Sequence, residues 1–124
     1  MLRITARHAD EWNTWGGPAM SGGARAKFDA ACEAVDRDPA SMWTSVQALV
    51  FLTDDDARAE EILAGPMGSR SIAGTPDRLV EVMGEYAELG FDEFIMPDFN
   101  LGDDPGPRRE AFQRFNDEVV ARLL

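Results

Sequence analysis

The sequence has very little of the chemistry on which many enzymes and binding proteins depend. Its 124 residues include one cysteine, one histidine and one lysine. A lone cysteine cannot form an internal disulfide, and a lone histidine excludes a multi-histidine metal site. The formal net charge of −11 argues against nucleic acid as a partner, because phosphate binding requires clustered lysine and arginine.

Long apolar runs and targeting segments are also missing. No run approaches the ~20 residues of a membrane span, the N-terminus lacks a signal-peptide pattern, and there is no polybasic patch for a membrane surface. We therefore expect a cytoplasmic protein without a membrane partner. The hydrophobic content of 44% is sufficient for a core. Because no linker divides the chain, we expect one structural unit over residues 1–124.

The clearest local pattern lies in residues 71–99, "SIAGTPDRLVEVMGEYAELGFDEFIMPDF". Thr75 followed by Pro76 predicts a helix start. Apolar residues then recur at helical spacing as far as Gly90, which suits a left-handed helix cap. The apolar residues 94–96 are too few for a helix and predict a strand buried in a parallel sheet.

The rest of the chain alternates in the same way. Residues 1–9 have a helical pattern, "DEWNTW" predicts a short extended stretch, and the apolar run "MWTSVQALVFL" predicts one buried strand. The stretch "AGPMGSRSIAG", residues 64–74, is expected to be an irregular connection. We predict about three strands and four main helices. Since no two strands are close enough for a tight hairpin, the pattern favours an α/β fold with parallel strands.

Three stretches, in this order, resemble the luciferase-like monooxygenase family: "LRITARHADEWN", "FDAACEAVDRDP" and the segment 71–99. The likeness is closest to the branch of oxidoreductases that use the deazaflavin coenzyme F420. The family usually has an aromatic residue where His8 stands and a glycine where Asp36 stands. Residues 74–76 retain the Gly-Thr-Pro helix start of the family.

The resemblance implies a TIM-type (β/α)8 barrel, of which this chain matches the C-terminal part. In such a barrel the stretch before Met1 carries the first five strands and a glycine-rich phosphate-binding turn. We therefore expect the chain to be incomplete alone, with open sheet edges. The partner is expected to be a complementing barrel half or a second copy of the chain.

The resemblance also implies an activity. The chain is expected to act as an oxidoreductase or monooxygenase on a small organic substrate, with reduced F420 or alternatively flavin mononucleotide (FMN) as cofactor. The alternative is a non-catalytic remnant, or a self-associating interaction module of the same fold.

Candidate cofactor-binding residues lie near the start of the helix in segment 71–99. Gly74 and Thr75 can present backbone N–H groups to a cofactor phosphate, with Arg70 and Ser71 adding positive charge and a hydroxyl. The alternative is that Thr75 is an ordinary helix cap.

Candidate substrate-binding residues lie where strands are expected to end, because barrel active sites form at that end. Asn13 and Trp15 are expected to follow the first strand, and Asp98 follows the last. Trp15 and Trp12 either wall a flavin pocket or pack in the core, and Asp98 either orients the substrate or serves a turn. No catalytic residue and no metal ligand is assigned.

Overall fold

The computed structural model describes residues 1–124. The helices are α1 (Leu2–His8), α2 (Pro18–Glu33), α3 (Asp56–Ala64), α4 (Pro76–Glu88) and α5 (Pro105–Glu118). The strands are β1 (Glu11–Trp15), β2 (Trp43–Gln47), β3 (Leu49–Leu52), β4 (Ser71–Gly74) and β5 (Glu93–Ile95). Short 3-10 turns cover Pro39–Ser41, Gly68–Arg70 and Val120–Arg122. None of the helices combines the length and apolarity needed to cross a membrane.

All strand pairs are parallel, and they form two sheets. One sheet has the order β1-β2-β5, and the other contains β3 and β4. The α/β class and the parallel arrangement are therefore confirmed. The three expected strands supply the larger sheet; β3 is the second half of the strand expected over residues 42–52, and only β4 was not predicted.

The single strand expected over residues 42–52 is interrupted at Ala48, which is fully buried. The part before Ala48 pairs with β1 and β5, whereas the part after it pairs with β4. The N–H of Gly16 donates to the carbonyl of Gln47 at 3.0 Å, and the N–H of Gly17 donates to the carbonyl of Ser69 at 2.9 Å. The segment leading into β4 therefore begins beside the point at which β1 ends.

The prediction that residues 64–74 are irregular is wrong for Ser71–Gly74. This segment pairs with β3 from Leu49↔Ser71 to Leu52↔Gly74, and all four of its residues are buried. The buried backbone of β3 needs hydrogen-bond partners, and β4 supplies them. Serine, alanine and glycine have weak strand preferences, so the pairing is decided by tertiary context.

The local signals in segment 71–99 are confirmed. The hydroxyl of Thr75 accepts a hydrogen bond from the N–H of Arg78 at 3.3 Å and caps α4. Gly90 has a φ of 87° just after that helix. The buried residues of α4 are Leu79, Val82 and Tyr86, which form the apolar face that the spacing predicts.

Helices cover only one face of the β1-β2-β5 sheet. Phe94 of β5 packs against Tyr86 of α4 and Phe115 of α5, with ring centroids 5.4 and 6.3 Å apart. The side chains of the opposite face lie at alternating positions of the three strands, and we call this surface the open face. It carries Glu11, Asn13, Trp15, Trp43, Ser45, Gln47, Glu93 and Ile95.

The open face is polar and largely exposed. The Nδ2 of Asn13 donates to the Oγ of Ser45 at 2.8 Å, and the Nε2 of Gln47 donates to the Oδ1 of Asn13 at 3.4 Å. Trp43 is 50% exposed. Parallel sheets are normally covered on both faces, and in a closed barrel this face lines the interior.

The backbone conformation of Asp36 accounts for the glycine that the luciferase-like monooxygenase family has at this position. Asp36 is the only non-glycine residue with a positive φ, 56°. This conformation lets Arg37 reach back to α1, where its guanidinium donates to the carbonyls of Ala6 at 3.2 Å and Ala9 at 2.7 Å. Asp38 then accepts from the N–H of Ala40 at 2.9 Å and starts the next turn.

Replacing Asp36 with glycine is expected to stabilise the protein by about 0.5–1 kcal/mol, because glycine adopts a positive φ without the steric cost of a Cβ. The matched variant Asp36→Ala keeps that cost and is expected to gain nothing. Urea denaturation at constant m-value measures both changes. Equal stabilisation by glycine and alanine would contradict this explanation.

Candidate functional site

A cleft of about 330 Å³ lies at the carboxyl end of the β1-β2-β5 sheet, beside the starts of β3 and β4. We call it the aromatic cleft, and it is lined by Trp15, Leu49, Met67, Arg70 and Phe99. These residues come from four places along the chain: the end of β1, the start of β3, the turn before β4 and the loop after β5. The volume is at the lower end of the roughly 300–1,000 Å³ that is usual for small-molecule sites.

Two aromatic rings line this cleft. The rings of Trp15 and Phe99 are nearly parallel, with an interplanar angle of 17° and centroids 6.1 Å apart. Phe99 is 76% exposed, so its ring is not used to fill the core. Trp15 is half-buried, so part of each flat apolar ring is available to a planar ligand.

Arg70 is the only charged residue that lines the aromatic cleft. It is exposed, and its guanidinium forms no ion pair with any of the chain's many carboxylates. Guanidinium groups bind carboxylate, phosphate and other anionic groups through paired N–H donors. The cleft therefore combines two aromatic rings with one available positive charge.

The turn that follows Trp15 is held by a buried tyrosine. The hydroxyl of Tyr86 donates to the carbonyl of Gly16 at 2.8 Å. Gly16 has a φ of 126°, and a Cβ at this position would lie 2.8 Å from the Cβ of Met20. Burial, with a smaller contribution from the charge of Glu85, raises the pKa of the Tyr86 hydroxyl above its usual value.

Asn13 and Trp15 do not lie where the sequence analysis expected them. Both lie within β1 and not after it, because β1 pairs with β2 as far as Trp15↔Gln47. Trp15 lines the aromatic cleft, whereas Asn13 lies on the open face and is hydrogen-bonded to Ser45. Trp12 stacks on Phe28 with centroids 4.3 Å apart, so its packing alternative is confirmed.

Asp98 lies outside the aromatic cleft. One of its carboxylate oxygens is 3.2 Å from the Nη1 of Arg108, at the beginning of α5. Its backbone carbonyl also accepts from the N–H of Leu101 at 3.1 Å. A role in binding the substrate stays a prediction for this residue.

The four predicted cofactor residues do not lie together. The hydroxyl of Ser71 is buried and donates to the carbonyl of Met67 at 2.7 Å. Gly74 and Thr75 are at the far end of β4, roughly 13 Å along the strand from Arg70. The structure thus brings Arg70 together with Trp15, and phosphate binding by Ser71, Gly74 and Thr75 stays a prediction.

Three lining residues were missed by the sequence analysis, namely Leu49, Met67 and Phe99. Phe99 had a usable signal, because an aromatic residue directly after Pro97 and Asp98 must lie near the end of the last strand. Leu49 and Met67 had none, since their place depends on the interruption at Ala48. No group of three or more His, Cys, Asp or Glu side chains is arranged to hold a metal ion.

No protein-family model matches the sequence, and no curated protein does. Solved structures do share its fold. A coenzyme F420-dependent tetrahydromethanopterin reductase from Methanopyrus kandleri matches 98% of this chain with a TM-score of 0.71 and 15% identity. A long-chain alkane monooxygenase matches 99% with a TM-score of 0.66 and 14% identity. The FMN-bound oxygenating constituent of 3,6-diketocamphane monooxygenase from Pseudomonas putida matches 99% with a TM-score of 0.60 and 16% identity.

These comparisons establish the fold. The three proteins have the luciferase-like monooxygenase fold, so the predicted resemblance is confirmed as a likeness of fold. The prediction of part of a (β/α)8 barrel is confirmed by the same match. The chain spans less than half of each, covering 48%, 39% and 45% of their lengths.

Replacing Tyr86 with phenylalanine is expected to destabilise the protein by about 1–2 kcal/mol at pH 7, because the buried carbonyl of Gly16 loses its donor. The raised pKa predicts a pH dependence as well. Below a pH of about 10 the tyrosine is protonated in both states; above it, the unfolded state loses the proton first, so stability falls as the pH rises.

The advantage of the wild type over Tyr86→Phe should therefore shrink by about 1 kcal/mol between pH 10 and pH 11. Urea unfolding of both proteins at each pH measures this difference, and the comparison cancels the titration of other groups. A constant advantage over this range would contradict the assignment of the hydroxyl as a buried donor.

Proposed function

We propose that this chain is part of an oxidoreductase that uses a deazaflavin or flavin cofactor, and that the aromatic cleft binds the cofactor ring. The observation that carries the proposal is the parallel pair of the half-buried Trp15 and the exposed Phe99, beside Arg70, which forms no ion pair. Solved structures of the same fold include an F420-dependent reductase and an FMN complex, which supports a cofactor of this kind. F420 is the first choice, and FMN is the alternative.

The residues of the cleft fit such a ring. Trp15 and Phe99 provide flat rings for stacking, and Leu49 and Met67 make the surroundings apolar. Arg70 can donate hydrogen bonds to an anionic group of the cofactor. This local charge is needed because the net charge of −11 otherwise repels anions.

The lining contains no carboxylate and no histidine that could act as a general base. When bound, a reduced deazaflavin supplies a hydride, and the chemistry belongs to the cofactor. The contribution of the chain is then to orient the ring and to place a positive charge at its edge. The small organic substrate is expected at the same end of the strands, where barrel enzymes bind their substrates.

Replacing Arg70 with alanine is expected to weaken the binding of F420 or FMN about tenfold, because one charge-assisted contact is lost. The free energy of unfolding should change by less than ~0.5 kcal/mol, since the side chain is exposed. Fluorescence titration of the purified chain measures the affinity, and urea denaturation measures the stability.

The matched control is Arg109→Ala, which removes an exposed arginine that forms no ion pair and lies outside the cleft. This variant should bind the cofactor as the wild type does. If both variants weaken cofactor binding equally, Arg70 contributes only through the net charge of the chain and not through a contact with the cofactor. A folded wild-type chain that binds neither cofactor would contradict the proposal.

The second candidate function is that of an interaction module, and the open face favours it. β1 and β5 each pair with β2 on one side only, so both edges of the sheet are bare. Trp43 and Ile95 of the open face are 50% and 37% exposed. We propose that the occupant of this surface is a polypeptide segment that supplies the remaining barrel strands, because the structures of the same fold are about twice as long.

A second copy of the chain is the less favoured occupant, because it brings a further charge of −11. The isolated chain is therefore expected to be a monomer in sedimentation experiments at physiological ionic strength. Amide hydrogen exchange should then be fast at the outward-facing positions of β1 and β5. A stable dimer that dissociates in the variant Trp43→Glu would instead identify a second copy as the occupant.

A further inference from the structure

The two ends of the open face differ in character. Trp15 and Gln47 lie at its carboxyl end, where Trp15 lines the aromatic cleft. Glu11 and Trp43 lie at its amino end. Roughly 13 Å of strand separates Glu11 from Trp15. The amino end of the open face is therefore separate from the proposed cofactor site.

At this amino end an exposed indole lies between two carboxylates. Glu11 of β1 is the in-register neighbour of Trp43, whose surface is 50% exposed. From the opposite side, Glu93 of β5 accepts a hydrogen bond through its Oε2 from the indole Nε1 of Trp43 at 3.0 Å. Both glutamates are exposed, and neither forms an ion pair. All three side chains are therefore accessible from the open side of the sheet, and we call them the amino-end cluster.

No positive charge of the sheets balances these two carboxylates. The five strands contain Glu11 and Glu93 but no arginine or lysine, and all twelve arginine and lysine residues lie in helices, turns or connecting segments. A segment that covers the open face would bury both glutamates. A buried carboxylate without a cationic partner is strongly destabilising, so the covering segment must bring a cation. The strands of a second copy of this chain have none to offer.

The amino-end cluster suits a guanidinium better than other cations. A planar guanidinium stacks on an indole ring and donates paired hydrogen bonds to carboxylates. The hydrogen bond from Trp43 uses one carboxylate oxygen of Glu93 and leaves the other available. We propose that the polypeptide segment that docks on the open face places an arginine side chain over Trp43, between Glu11 and Glu93. This inference rests on the second candidate function and adds the chemistry by which the partner is recognised.

N-acetyl-arginine amide and N-acetyl-citrulline amide test this contact, because the second compound replaces the charged guanidinium with a neutral ureido group of similar shape. Titration of the ¹⁵N-labelled chain at low ionic strength is followed by NMR. The arginine compound is expected to shift the indole N–H signal of Trp43 saturably and to bind about tenfold more tightly than the citrulline compound. Equal affinities, or no saturable shift with the arginine compound, would overturn the proposal.

Three variants separate a local contact from the general attraction of a cation to a chain with a net charge of −11. Glu11→Gln and Glu93→Gln are each expected to weaken binding of the arginine compound about threefold. Glu110→Gln removes the same charge from an exposed position of α5, outside the sheet, and is expected to leave binding unchanged. Equal weakening by all three variants would contradict the arginine contact. A stable dimer in the sedimentation experiment would instead contradict the docking of a separate polypeptide, so the two failures are distinguishable.

Discussion

The rest of the structure depends on one constraint: the backbone of residues 43–52 changes its hydrogen-bonded neighbour strands part of the way along. Before Ala48 this segment pairs with β1 and β5, and after it with β4. The hydrogen bond from the N–H of Gly17 to the carbonyl of Ser69 joins the chain just after β1 to the chain just before β4. The aromatic cleft forms at this junction, because Trp15 ends β1 and Arg70 precedes β4. Residues more than 50 positions apart are thereby brought to one site.

The two faces of the larger sheet have opposite characters, and this asymmetry limits what the chain can do alone. One face is covered by helices and supplies most of the core, whereas the other carries the hydrogen-bonded row of Asn13, Ser45 and Gln47. A parallel sheet is normally covered on both faces, and in a closed barrel this face lines the interior. The aromatic cleft borders this face, so further strands that cover the face would also enclose the cleft and exclude water from it.

Local sequence signals predicted the fold class and the elements of segment 71–99, because capping, helical spacing and a glycine stop act within a few residues. They did not predict β4 or the interruption at Ala48, which depend on the distant pairing of Leu49 with Ser71. For the site, the sequence proposed Trp15 as a substrate-binding residue and Arg70 as a cofactor-binding residue. Their meeting, and the part played by Phe99, follow from tertiary hydrogen bonding that no local periodicity contains.

The central claim is that the aromatic cleft binds a planar cofactor ring, and intermolecular NOEs test it most directly. F420, or FMN in a parallel sample, is added to the isotope-labelled chain, and contacts from the ring protons are assigned. The account predicts NOEs from the cofactor ring to the indole of Trp15 and the phenyl ring of Phe99. NOEs that instead reach only residues at the start of α4, such as Thr75, would contradict it.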